Sequence, residues 1–118
     1  MVYVKTNLFP YRMSLKKREP VQLFIEIRND QSEEKLVSME LVLPRTLGLD
    51  KAGLKWKEYV KIGSLKPSEE KRFYFDIYPK QTTLQGENAI QVHFFEHMKD
   101  FKDVERKITK NIDLVATA

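Results

Sequence analysis

The 118-residue chain contains no cysteine. That excludes disulfide bridges, thiolate nucleophiles and every zinc or iron–sulfur site built on sulfur ligands, although it does not fix a compartment. Histidine is almost as scarce, with only His93 and His97. Four positions apart on one strand, they stand about 13 Å from each other, too far to grip one metal ion, so both read as solvent-facing strand residues. No window approaches the ~18 apolar residues of a membrane span. Met1–Pro10, MVYVKTNLFP, is interrupted by Lys5–Asn7 and has no apolar core of signal-peptide length. Localisation stays open: cytoplasmic if the chain is complete, extracellular if it is an excerpt of a larger surface protein.

Signatures of catalysis are missing as well. None of Ser14, Ser32, Ser38, Ser64 and Ser68 sits in a Gly-x-Ser-x-Gly elbow. The paired carboxylates Glu33–Glu34 and Glu69–Glu70 fall in turn-like stretches, where sequence neighbours point apart. A nucleophile needs a base within hydrogen-bond reach, and no spacing here supplies one. The expectation is a protein that is not an enzyme and has neither cofactor nor metal.

What the chain has in quantity is charge, 32% of all residues, carried mainly by 15 lysines and 11 glutamates. Lys/Glu enrichment is the compositional pattern of hyperthermophile proteins. The net charge of +4 leans mildly toward acidic partners and falls short of the clustered excess of a dedicated nucleic-acid binder. The length fits one domain, residues 1–118.

The hydrophobic pattern has period two almost throughout. Val21, Leu23, Ile25 and Ile27 alternate with Gln22, Glu26 and Arg28; burying those four is worth about 6–12 kcal/mol gross. Val37, Met39, Leu41 and Leu43 alternate likewise, as do Ile90, Val92 and Phe94, and Ile108, Ile112 and Leu114. Val2, Val4 and Leu8 form a first strand that Pro10 ends, and Met13 and Leu15 resume pairing on a second sheet. In Leu54–Ile62 the inner parity falls on Leu54, Trp56, Val60 and Ile62, which makes Trp56 core rather than a carbohydrate platform. Glu58 interrupts that face, as expected at an edge or bulge. Val60–Tyr78 reads as the organising hairpin: Gly63 closes one run, Pro67 sits in a tight connection, and Phe73, Phe75 and Ile77 alternate with Arg72, Tyr74, Asp76 and Tyr78. All five prolines and all four glycines fall in or beside breaks between runs. The fold predicted is an all-β, immunoglobulin-like sandwich of about seven strands in two sheets.

Three stretches resemble CARDB-type modules and their fibronectin type III-like relatives. VQLFIEIRN at Val21–Asn29 is similar to a strand that ends in Asn after alternating hydrophobics. IGSLKPSEEKRFYFDI at Ile62–Ile77 resembles that group's hairpin, in which Gly, Leu, Pro, a small residue and an acidic residue follow in order before an alternating strand, and GENAIQVHF at Gly86–Phe94 is similar to its following strand. The resemblance implies a non-catalytic module for adhesion, scaffolding or substrate presentation. Where such modules often carry an acidic, Asn-rich segment, this chain reads HMKDFKDVERK, so calcium binding is not carried over.

Two surfaces stand out. Phe24, Tyr74, Tyr78 and Phe95 occupy the outward parity of their strands; two or three of them meeting on one sheet would make a patch for a protein partner, a second copy of the chain included. Lys55, Lys57 and Lys61, with Tyr59 among them and Lys51 and Lys66 beyond, form a basic row. Such a row suits single-stranded nucleic acid, or simply keeps an outer strand from aggregating. The preferred reading is a non-catalytic protein-interaction or scaffold module, with nucleic-acid binding as the alternative.

Overall fold

The strand Val21–Arg28 (β3) buries Val21, Leu23, Ile25 and Ile27 almost completely while its alternate residues face outward. It sits inside a sheet because both of its edges are paired. On one side lies Tyr3–Phe9 (β1), antiparallel, with Val4 opposite Ile27 and Leu8 opposite Leu23. On the other lies Glu70–Pro79 (β7), also antiparallel, with Phe73 opposite Ile25 and Phe75 opposite Leu23. In this computed structural model, which describes residues 2–118, the second sheet is built around Gly86–His97 (β8). Its inward residues Ile90, Val92 and Phe94 are buried, and it lies between Lys35–Val42 (β4) and Val104–Thr117 (β9).

Three further strands complete the sheets. Arg12–Ser14 (β2) runs parallel to the end of β9, so the first strand crosses from one sheet to the other at the cis Phe9–Pro10 bond. Leu47–Gly48 (β5) pairs with Tyr78 and Pro79 only. Lys57–Leu65 (β6) forms the edge beside β4. The orders are β1-β3-β7-β5 and β2-β9-β8-β4-β6. The inner faces of the two sheets share one core that includes Met13, Val37, Met39, Leu41, Leu65, Ile77 and Leu114. The protein is an immunoglobulin-like β-sandwich. It has nine strands among the described residues because β2 and β5 add short pieces to the expected seven.

Val60–Tyr78 is not a hairpin. β6 pairs with β4 in one sheet and β7 pairs with β3 in the other, so Lys66–Glu69 is an arch that crosses between layers. The arch is a tight turn, with Glu69 N donating to the Lys66 carbonyl at 3.0 Å. Pro67 sets its first corner and Ser68, at φ 68°, its second. Gly63 does not close the run either. It lies in a bulge opposite the Val37/Ser38 step, at φ 101°, and the bulge lets both Ile62 and Leu65 face the core.

The placement of Leu54 and Trp56 in the core is also corrected. β6 begins at Lys57, so these two residues precede the ladder that would turn them inward, and they are 81% and 50% exposed.

Candidate functional site

The outer face of the β1-β3-β7 sheet is laid out in cross-strand rows. One row is Lys5, Glu26 and Arg72. Arg72 Nε donates to Glu26 at 3.1 Å and its Nη2 to Glu70 at 3.0 Å, and these carboxylates push the guanidinium above its usual pKa, the Glu26 bond most of all. At the Tyr3 end, the Arg28 guanidinium lies 4.7 Å from the Tyr3 ring centre. The next row toward the other end is Asn7, Phe24 and Tyr74, followed by Phe9, Gln22 and Asp76. The Phe24 and Tyr74 rings pack with centroids 5.2 Å apart at 44°. Tyr74 remains 59% exposed and Phe9 78% exposed. The face therefore divides into an ionic half and an aromatic half.

Of the four expected aromatic residues, the structure brings together Phe24 and Tyr74. Tyr78 shares their strand face but lies four residues on, about 13 Å away. It is half-buried opposite Gly48, beside Leu49, Lys55 and Glu58. Phe95 belongs to β8, so it lies on the outer face of the opposite sheet. Its ring is half-buried, 6.5 Å from His93 and 6.4 Å from His97, with Lys107 Nζ 5.9 Å from its centre. A single patch of all four residues does not exist.

The histidines do not share one environment. His93 Nδ1 is 2.9 Å from Thr109 Oγ1 near the surface. His97 is buried, contrary to the expectation for it, because a bulge between Glu96 and His97 shifts the β8–β9 register there. Its Nδ1 is 2.8 Å from the Asp103 carbonyl and its Nε2 2.7 Å from Ser38 Oγ. The carbonyl can only accept, so Nδ1 carries a proton, and in the tautomer that leaves Nε2 bare this nitrogen accepts from the Ser38 hydroxyl. A serine oxygen on an imidazole nitrogen is the geometry of an activated nucleophile. Here the pair is sealed from solvent and the second nitrogen is held by a carbonyl, and its evident work is to clamp β4, β8 and the Lys99–Asp103 turn. Among the described residues, no three histidine or carboxylate side chains converge to hold a metal.

The basic row is only partly a row. Lys57, Tyr59 and Lys61 face outward on β6, while Lys55 precedes the strand and is paired with Glu58. Lys57 lies 3.7 Å from Glu40, and Lys61 Nζ is 5.4 Å from the Phe101 ring centre. Lys66 is in the arch, and Lys51 lies in the loop after β5. In that loop the Asp50 carboxylate accepts from the backbone N–H groups of Leu54 at 2.8 Å and Lys55 at 3.2 Å. These bonds, Lys55's first, hold Asp50 below the usual aspartate range.

Two features escaped sequence reasoning. Trp56 lines an open cavity of about 470 Å³ with Leu43, Pro44, Arg45 and Lys80, which only its position outside the ladder makes possible. Glu96 follows the inward parity of Val92 and Phe94, and is buried with Oε2 unpartnered. That parity was readable in the sequence.

No family model matches the chain, and no curated protein matches it. Among solved structures, a β-glucuronidase from Bacteroides uniformis superposes with a TM-score of 0.50 at 16% identity, covering 96% of this chain and 13% of that one. The apo form of the Calx CBD1 domain superposes with a TM-score of 0.42 at 14% identity, covering 98% of this chain and 99% of that domain. At 16% identity the likeness to the glucuronidase is one of fold alone. The chain spans only a small part of the glucuronidase, and nothing of that enzyme's activity follows for it.

Proposed function

We propose that the chain is a non-catalytic interaction module that takes a protein partner on the aromatic half of its outer β1-β3-β7 face. The observation that carries the reading is the Phe24–Tyr74 pair, packed at 5.2 Å with Phe24 half-buried and Tyr74 open to solvent, and exposed Phe9 one row further. Contiguous exposed aromatics of this kind are enriched at protein interfaces, where a ring contributes area at little entropic cost. The amides of Asn7 and Gln22 border the rings and suit a partner that sets an apolar anchor among backbone hydrogen-bonding groups. The CARDB-type resemblance agrees with a role in adhesion or scaffolding.

The test is affinity capture from the native cell extract with the wild-type chain and a Phe9→Ser/Phe24→Ser chain as parallel baits, both checked for equal melting temperature. Proteins retained by the wild type alone support the reading; identical recovery by both overturns it. Less supports nucleic-acid binding through Lys55, Lys57, Tyr59 and Lys61, since Lys55 and Lys57 already face Glu58 and Glu40. That alternative requires steeply salt-dependent binding to oligonucleotides.

A further inference from the structure

Trp56 is the only tryptophan of the chain, and it stands half exposed in the wall of the cavity of about 470 Å³. Its main chain is fixed. The Trp56 carbonyl accepts from Leu43 N at 2.8 Å, and the Lys55 carbonyl before it accepts from Leu49 N at 2.7 Å. The indole has the Lys57 ammonium 5.6 Å from its ring centre and still keeps half of its surface open. Leu43 and Pro44 continue the apolar wall, and Arg45 and Lys80 supply the charged groups. An apolar concavity with a few placed polar groups is the usual build of a ligand site.

Lys80 is held in place by its neighbours. Its stem runs over two residues that have no side chain: a Cβ at Gly53 would stand 3.1 Å from Lys80 Cε, and one at Gly48 3.3 Å from the same atom. The half-buried lysine thereby brings its ammonium to the Arg45 carbonyl, 3.4 Å away. The Thr82 hydroxyl donates to the same carbonyl at 3.3 Å and the Thr83 hydroxyl to the Thr46 carbonyl at 2.6 Å, so Arg45 and Thr46 are tied to the turn that carries Lys80. One long bond leaves the ammonium with further N–H groups to give. Neither Lys80 nor Arg45 has an ion pair among the described residues, and no carboxylate lines the cavity. A second concavity, of about 420 Å³, shares Lys80 and carries Arg18 and Lys51 beside Gln81 and Thr82, again without a carboxylate.

We infer that this loop cluster binds an acidic saccharide chain, with Trp56 as the platform for one sugar ring and Lys80 and Arg45 as the partners of its carboxylate or sulfate. A pyranose presents an apolar C–H face, which the negative face of an indole attracts. The acidic group then meets a guanidinium able to grip it through two parallel N–H groups, and an ammonium already directed at the same loop. Further acidic units of the chain find Arg18 and Lys51 in the second concavity, where Gln81 and Thr82 offer partners for sugar hydroxyls. A single nucleic-acid strand fits less well. It calls for successive stacking rings along the cationic path, and Trp56 is the one aromatic residue that lines either concavity.

The site shares no residue with the partner face, and its single tryptophan reports on it directly. Titration of the wild type with a uronic-acid tetrasaccharide, or with a sulfated tetrasaccharide, changes Trp56 fluorescence to saturation; the tighter of the two identifies the acidic group. A neutral tetrasaccharide binds about tenfold more weakly or worse. Lys80→Met keeps the stem over the two glycines and removes the charge. It and Arg45→Gln each weaken the acidic ligand about tenfold. Trp56→Ala, followed by calorimetry, loses binding. Circular dichroism verifies that each variant is folded. No saturable change with either acidic tetrasaccharide, equal affinity for the neutral one, variants that bind as the wild type does, or an oligothymidylate that binds this site more tightly overturns the inference.

Discussion

Asn29, the last residue of the sequence run that forms β3, donates its side-chain amide to the carbonyl of Leu65, the last residue of β6, at 2.9 Å. The two belong to opposite sheets. The same Nδ2 reaches the Glu33 carbonyl at 2.7 Å, and Oδ1 accepts from Gln31 N at 2.9 Å. The Asn29 main chain meanwhile bonds Ser68 and Glu69 in the arch. One fully buried side chain thus fastens the β3–β4 turn to the strand that crosses between layers.

Asn29→Ala removes these bonds and takes the amide donor from the buried Leu65 carbonyl, at a cost of about 1–3 kcal/mol. Asn29→Asp costs more, about 3–5 kcal/mol, because a carboxylate in place of the amide donor aims negative charge at carbonyl oxygens in a buried site. Urea denaturation of the wild type and both variants checks the order; an aspartate variant as stable as the wild type contradicts it.

Gly63→Ala is expected to destabilise by about 1–3 kcal/mol. A Cβ at this position meets nothing within 4 Å, so the cost is one of backbone conformation at φ 101°. Thermal melting measures it, and an unchanged melting temperature would show that the bulge relaxes freely.

Ser38→Ala leaves the buried His97 Nε2 without its donor, which costs about 1–3 kcal/mol. In the wild type, nitrogen-15 shifts of the imidazole should show the proton on Nδ1.

Acidification should loosen the loop after β5 before it unfolds the sandwich. The Asp50 carboxylate is held below its ordinary value, so the stability from its backbone bonds is complete above that ordinary value. It is lost as the pH falls through the lower, folded-state value. The Leu54 and Lys55 amide shifts should titrate with Asp50. In Asp50→Asn, whose side-chain oxygen still accepts, that titration should vanish.

Inward and outward positions along β3, β4 and β8 were legible except beside the bulges at Ser38 and His97, because each strand lies between two paired neighbours and period two then decides the facing of its other side chains. Which sheet a strand joins was not legible. Phe73–Tyr78 alternates in the same way whether the Lys66–Glu69 turn folds back on β6 or crosses to β3, and the crossing depends on Asn29, more than thirty residues earlier. Phe95 was grouped with Phe24 for the same reason, since parity separates inside from outside but not one outside from the other. Trp56 and His97 were misplaced by a different cause. Parity has no meaning before a ladder begins, and it shifts at a bulge that no glycine or proline marks.

The most direct test of the interaction reading is hydrogen exchange of the chain alone and with the captured partner. The account predicts new protection confined to the strands that carry Asn7, Phe24 and Tyr74, with Lys57–Lys61 unchanged. Protection centred on β6, or none on β3 and β7, would contradict it.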